Sequence, residues 1–226
     1  VQECFDFIRL HTMSNFSERY EKEILAQGEL MSTNIMHAYL LSQGVKSVLL
    51  PALDYMRIDE NAEPDYDYIK AHLHDMLDAS AHADIYITQG FICRNPEGDI
   101  DNLQRGGSDY SASIIGAMID AEEVQIWTDI DGMHNNDPRF VEKTAPVHEL
   151  AFEEAAELAY FGAKILHPTC VRPAQEHNIP VRLLNTLCPE AFGTLIHNSS
   201  ETGKIKAIAA KDNITSIKIK SSRMLL

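Results

Sequence analysis

The chain has 226 residues, room for one large domain or two small ones, and its 45% hydrophobic and 23% charged content is that of an ordinary globular protein. Nineteen Lys and Arg stand against 34 Asp and Glu, a formal charge of -15 that excludes nucleic-acid binding through a basic footprint. An anionic ligand would need a local cluster of cations or a metal ion, which singles out Arg105, Arg139 and Lys164.

From the amino end, Phe5, Ile8 and Leu10 or Met13 follow helical spacing over residues 1 to about 13, so Val1 falls inside an amphipathic helix and is expected to be a boundary or a cut. Ser17 is a candidate N-cap with Glu18 and Glu21 in the first turn. The pattern predicts a helix to about Ala26, an interruption at Gly28-Glu29, and a second helix from about Leu30 to Ser42 stopped by Gly44. Val45 to Leu50 reads as a buried strand, residues 54 to 64 as turn-rich, and Asp65 as the cap of a helix from Tyr66 to about Leu77.

Asp84 to Thr88 is the next predicted strand, and Pro96-Glu97-Gly98-Asp99 a turn between two short ones. A Gly loop, Arg105 to Asp109, opens a helix to about Ile119, followed by a strand over Glu123–Thr128 and a helix over Ala151–Ala159. Pro173 to His177 ends another helical segment, Ile179 to Leu184 is a strand, and Gly193 to Ile196 is a candidate strand. Strand alternating with helix argues for a mostly parallel sheet covered on both faces. Residues 206–211 and 214–220 alternate apolar and polar like strands covered on one side.

No apolar run reaches membrane-spanning length and no signal peptide is recognisable. Cys4, Cys93, Cys170 and Cys188 form no Cys-x-x-Cys pair, so reduced thiols and a cytoplasmic location are expected, with neither nucleic acid nor membrane as partner. His72, His74 and His82 suggest a metal only superficially, since a spacing of two does not share a helix face; no protein metal site is expected. Gly44-Val45-Lys46-Ser47 and Gly203-Lys204 lack the upstream glycine of a P-loop.

Three blocks carry chemistry. In Arg105-Gly106-Gly107-Ser108-Asp109 two glycines let backbone N–H groups approach an anion at a helix start; the alternative is a strand-to-helix turn with a capping Ser. In Gln125 to Arg139 an apolar strand stops in Thr128-Asp129 and runs to Asp137-Pro138-Arg139, as a buried strand delivers polar groups to its carboxyl end, although Asp-Pro is also a plain turn initiator. Phe161-Gly162-Ala163-Lys164-Ile165-Leu166-His167-Pro168 offers a lysine that either faces a ligand or snorkels at the surface.

In this order the blocks resemble the catalytic domain of aspartate kinases, within the amino-acid kinase family, from about residue 20 onward. The resemblance implies an α/β fold, a three-layer α/β/α sandwich with a mostly parallel central sheet (carbamate kinase-like), truncated. Its domains would be an N-terminally incomplete catalytic domain over 1–203 and the start of an ACT regulatory region over 204–226. It implies ATP-dependent phosphorylation of the β-carboxylate of L-aspartate to 4-phospho-L-aspartate, the first step toward lysine, threonine and methionine, with Mg²⁺ bridging the phosphates, allosteric regulation, and a homodimer in the full-length parent.

By the same resemblance Glu29 in Gly28-Glu29 pairs the substrate amine, Arg105 grips its α-carboxylate, Ser32 bonds nearby, and Gln89 and Gly90 shape the amino-acid pocket. Without it, Glu29 reads as a helix-surface carboxylate. Gly106, Gly107, Ser108, Thr128, Asp129, His134, Arg139 and Lys164 fall to ATP, with Asp109 and Lys164 catalytic. Two departures stand out: Gln104 where the family usually has Gly, and His134 where most relatives carry Tyr. The family's opening Lys-x-Gly-Gly-x-Ser is absent, Gly106-Gly107 being the only glycine pair. Two alternatives remain: a kinase of this fold acting on glutamate, acetylglutamate, carbamate or UMP, or a polypeptide that is inactive or weakly active as given.

Overall fold

A computed structural model describes residues 1–12, 17–80, 83–103, 106–137, 140–161, 166–199, 204–210 and 215. Helix α1 (Gln2–His11) leads to α2 (Glu18–Ser42), whose cap Ser17 accepts a hydrogen bond from the Tyr20 N–H at 3.3 Å. The predicted break at Gly28-Glu29 does not occur. One helix of 25 residues runs through it, because a lone glycine costs only about 1 kcal/mol and Glu23, Ala26, Gln27 and Thr33 are buried on either side. Gly44, at φ 77°, ends the helix in a Schellman motif: Gly44 N–H donates to the Leu41 carbonyl and Val45 N–H to that of Leu40, both at 3.0 Å.

Strand β1 (Ser47–Leu50) and the short α3 (Ala52–Tyr55) follow, the latter running into the first two residues of the stretch predicted as turn-rich. The Asp65 side chain caps α4 (Tyr66–Ala79) through the Tyr68 N–H. Strand β2 (Ile85–Thr88) pairs in parallel with β1, and β3 (Ile92–Arg94) with β4 (Ile100–Asn102) forms the expected hairpin. Then come α5 (Gly107–Met118), β5 (Val124–Thr128), β6 (Glu149–Ala151), α6 (Phe152–Phe161), a 3₁₀ turn at Pro168–Val171, α7 (Arg172–Glu176), β7 (Val181–Asn185) and β8 (Thr194–His197).

The last four strands form one sheet in the order β5-β7-β8-β6. β5 runs parallel to β7 and β6 to β8, while β7 and β8 are antiparallel. The connection from β7 to β8 is too short for the crossover a parallel pair requires. It closes instead at Gly193, φ 70°, where a Cβ would stand 1.9 Å from the Leu183 carbonyl oxygen. Of the segment expected as strands after Lys204, residues 206–210 belong to no strand, and most of 214–220 lies outside the described residues.

One apolar cluster that includes Tyr55, Ile69, Ile92, Ile114, Met133, Phe152, Leu183 and Ile196 spans both halves of the chain. Among the described residues β2 and β5 are each paired on one side only. A groove of about 350 Å³ is lined by both strands and by α5 with its C-cap, from Ser108 to Ile119.

Candidate functional site

Two glycines fix the junction between α2, the end of β2 and the start of α5. A Cβ on Gly90 would lie 2.7 Å from that of Ser108 and 3.5 Å from Glu29 Oε1, so only glycine lets the three meet. The Gly90 N–H donates to Glu29 Oε1 at 2.7 Å, fixing the half-buried carboxylate at the strand end rather than on an open helix surface. Gln89 is 1% exposed and serves as a brace, accepting from the Ala52 N–H at 2.7 Å and donating to Thr33 Oγ1 at 2.9 Å. Thr33 in turn donates to the Glu29 carbonyl. Sequence reasoning missed Thr33, one helical turn from Glu29 on the buried face of α2. Ser32 is exposed and donates to its own helix at the Glu29 carbonyl, so it is not drawn into this junction.

Phe91 adopts φ 52°, an uncommon conformation for a bulky side chain. Its N–H is satisfied by Ser111 Oγ at 2.8 Å, and its carbonyl accepts from Leu103 N–H at 2.7 Å. A second cleft, about 580 Å³, lies beside it and is lined by Lys22, Phe91, Asn102, Leu103 and Gly107. Asn102 Oδ1 is buried there without a hydrogen-bond partner among the described residues.

Gly106 caps α5 at φ 72°, and a Cβ on it would overlap Cys170 Sγ at 1.7 Å. Gly107 follows at φ 46°. The exposed Ser108 and half-buried Asp109 thus enter the first turn of α5 at its positive end. Burial raises the Asp109 carboxyl above the usual aspartate value. Burial also pushes the Cys170 thiol up to about 11, with the neighbouring Asp109 charge adding to it.

At the end of β5, Thr128 Oγ1 accepts from the Ile130 N–H at 3.1 Å, turning the chain outward, and Asp129 is exposed. Gly132, φ 110°, packs where a Cβ would stand 2.4 Å from Thr194 Oγ1. That buried hydroxyl accepts from Met133 N–H at 2.8 Å and donates to the Val147 carbonyl at 2.7 Å, closing the base of the excursion from 129 to 147. Both ring nitrogens of His134 are engaged, Nε2 with Asp131 Oδ1 at 2.7 Å and Nδ1 with Thr144 Oγ1 at 2.8 Å. The imidazole edge is therefore occupied, leaving its faces for any stacking. The His134 hydrogen bond, opposed by some burial, holds the Asp131 carboxyl below its ordinary value. Neither Asp131 nor Thr144 was singled out from sequence; the signal available was an Asp three residues before a His.

Arg105, Arg139 and Lys164 lie outside the described residues. Among the described ones, Glu29, Gln89, Gly90 and Ser108 come together, with Gly106, Gly107 and Asp109 continuing from Ser108. Thr128 and Asp129 stand at the end of β5, and His134 lies in the excursion that follows it, joined to Asp131 and Thr144. No three His, Cys, Asp or Glu side chains gather into a metal-binding cluster among the described residues.

Residues 7–185 match the pattern of the amino acid kinase family. The chain belongs to that family. Among its relatives, aspartokinase 1 of the Arabidopsis thaliana chloroplast is 37% identical over 223 residues, covering 94% of this chain and 39% of the relative. Lysine-sensitive aspartokinase 3 of Escherichia coli is 37% identical over 207 residues, covering 90% and 46%. The fold agrees. Escherichia coli aspartokinase III in complex with aspartate and ADP superposes with a TM-score of 0.81 at 33% identity, covering 89% of this chain and 46% of that one. UMP kinase of Bacillus anthracis, at TM-score 0.51 and 16% identity, shares the fold alone. This amino acid kinase family member thus has the expected α/β architecture, and it spans less than half the length of the aspartokinases named here. No helix among its described residues is long and apolar enough to cross a membrane.

Proposed function

We propose that the chain carries the amino-acid and nucleotide sites of an aspartate kinase, which transfers the γ-phosphoryl group of ATP to the β-carboxylate of L-aspartate. One observation carries the reading: Glu29, a carboxylate on a helix, is held by the Gly90 N–H at a glycine junction with the start of α5. Its Oε1 is fixed there, so the group is oriented before a ligand arrives, and a half-buried carboxylate in that position suits an ammonium group. Arg105, just before the Gly106 cap, would take the α-carboxylate as a bidentate partner. Together they select a free α-amino acid over carbamate, UMP or an N-acylated acid. Gln89 acts indirectly, bracing α2 and α3 against the strand end.

The β-carboxylate oxygen forms a bond to the γ-phosphorus as the bond to the departing ADP oxygen breaks, a transfer that depends on positioning and charge neutralisation. N–H groups of Gly106, Gly107 and Ser108 at the head of α5, with Lys164 and Arg139, would face phosphate oxygens in a protein otherwise acidic. Thr128, Asp129 and His134 would border the nucleoside. Asp109, raised by burial, orders the centre beside the transferring group. Mg²⁺ would be held largely by the nucleotide's phosphates and would neutralise their charge, which fits a site whose described residues offer single carboxylates rather than a cage. Its four free cysteines favour a reducing compartment such as the cytoplasm. The segment from 204 onward is read as the start of a regulatory region.

Calorimetric titration of the chain with L-aspartate and L-glutamate, paired with ADP release in the presence of ATP, tests the proposal. L-aspartate is expected to bind more tightly, with Glu29→Gln losing most of that affinity. Equal binding of the two acids, or an indifferent Glu29→Gln, would overturn it.

A further inference from the structure

The segment 204–210 forms no strand, yet it is not loose. Lys206, 16% exposed, donates through Nζ to Glu154 Oε2 at 3.0 Å and to the Glu149 carbonyl at 3.2 Å, gripping the strand-to-helix junction where α6 begins. The same Glu154 oxygen accepts from Ala151 N–H at 2.7 Å, so the carboxylate is fixed before Lys206 reaches it. Two residues on, the Ile208 N–H donates to the Asn135 carbonyl at 2.9 Å.

Asn135 sits in the middle of the excursion 129–147. Its N–H donates to the Ala145 carbonyl at 2.9 Å, and its Oδ1 accepts from Ala145 N–H at 3.0 Å. Next to it, His134 spans Asp131 and Thr144. The excursion is thus held at its base by Thr194 and on its outer side by the 204–210 segment. A cavity of about 390 Å³ lined by Leu150, Glu154, Leu158, Lys206 and Ile208 lies beneath that segment, which leaves the polar anchors to hold it.

We infer that Lys206 is a positioning residue for the nucleotide. By pinning the segment to the start of α6 it keeps Ile208 against Asn135, and so sets the loop carrying Asp129 and His134. The inference rests on the proposed nucleotide site but concerns a residue that touches no substrate. An exposed ion pair would contribute little; this one is mostly covered, has two acceptors, and adjoins a backbone bond to the loop.

The test uses the 226-residue chain with Lys206→Met and Lys206→Arg, both checked for an unchanged thermal transition. Hydrogen exchange is read at the amides of Asn135, Ala145 and Ile208, and MgADP and L-aspartate affinities are read by calorimetry. Lys206→Met is expected to speed exchange at all three amides and weaken MgADP by about 2- to 30-fold, the range for couplings through packed segments. L-aspartate affinity stays within about twofold in that same range's lower limit, and Lys206→Arg restores both readouts. Unchanged exchange in Lys206→Met overturns the clamp. Faster exchange with unchanged MgADP affinity overturns its role toward the nucleotide. If the unsubstituted chain binds no MgADP, the functional reading fails and takes the nucleotide role with it, while the exchange result still decides whether Lys206 holds the loop.

Discussion

Gly106→Ala tests the foundation of the site, because the substitution adds one methyl group in a place with two objections to it. The residue lies at φ 72°, where an L side chain costs about 1–2 kcal/mol. The new Cβ would also stand 1.7 Å from Sγ of Cys170, a fully buried residue whose sulfur could move only into packed surroundings. Overpacking of this kind costs about 1–3 kcal/mol, bringing the total to about 2–5 kcal/mol by the same principles. For a chain of this size that lowers the thermal midpoint by about 4–20 °C. Cys170→Ala removes the sulfur and leaves a Cβ 3.1 Å away, a gap that a shift of a few tenths of an ångström relieves. In urea denaturation the double variant should recover the overpacking part and keep the backbone part, a favourable coupling of about 0.5–3 kcal/mol. A Gly106→Ala stability within about 0.5 kcal/mol of the parent would refute the reasoning, since surface substitutions fall in that range. So would an equal loss in the Cys170→Ala background.

Glu29→Ala should weaken L-aspartate binding far more than nucleotide binding, by about 3–5 kcal/mol if the ammonium is desolvated; parallel calorimetric titrations with each ligand check this. Lys164→Ala should lower ATP affinity or turnover while Lys46→Ala does not, and ATP binding indifferent to Lys164 would remove that residue from the phosphates. Burial raises Cys93 to about 12, Tyr55 to about 12 and Cys170 to about 11, all above their ordinary values. Groups raised on folding contribute stability fully present below the unfolded thiol value near 9.0 and lost as pH climbs through the folded ones. Circular dichroism should therefore report alkaline unfolding as pH approaches about 11. Maleimide labelling at neutral pH should modify exposed Cys188 quickly, and Cys93 and Cys170 only after denaturation.

Local features of the fold were legible because their causes are local. Ser17, Gly44, Asp65 and the turn at Gly98 act on backbone groups within a few residues, and each ends or opens an element where expected. The continuity of α2 was not legible, because the burial of Ala26, Gln27 and Thr33 that outweighs Gly28 is a tertiary fact. The same holds for the antiparallel turn of β8 into its sheet, which depends on a close approach of Gly193 to Leu183. At the site, the resemblance assigned Glu29 and Gly90 to one amino-acid pocket, but the hydrogen bond that joins them across 61 positions was not legible. The His134 clasp was hidden differently: a histidine that the resemblance assigns to ATP has both edge nitrogens engaged by neighbours too ordinary to notice in a sequence.

The groove along α5 has a colloidal consequence. It is flanked by β2 and β5, each paired on one side only among the described residues, and Ile85, Tyr86 and Trp127 stand exposed on those same strands. Such edges seek another strand. What opposes them is a charge of -15, whose repulsion reaches about 10 Å at 0.1 M salt and about 3 Å at 1 M. Ionic strength therefore becomes the variable that governs how this polypeptide behaves in the tube. Dilute buffer should keep the molecules apart, while added salt, by screening the charge and leaving the edges untouched, should draw them into concentration-dependent assemblies that scatter light.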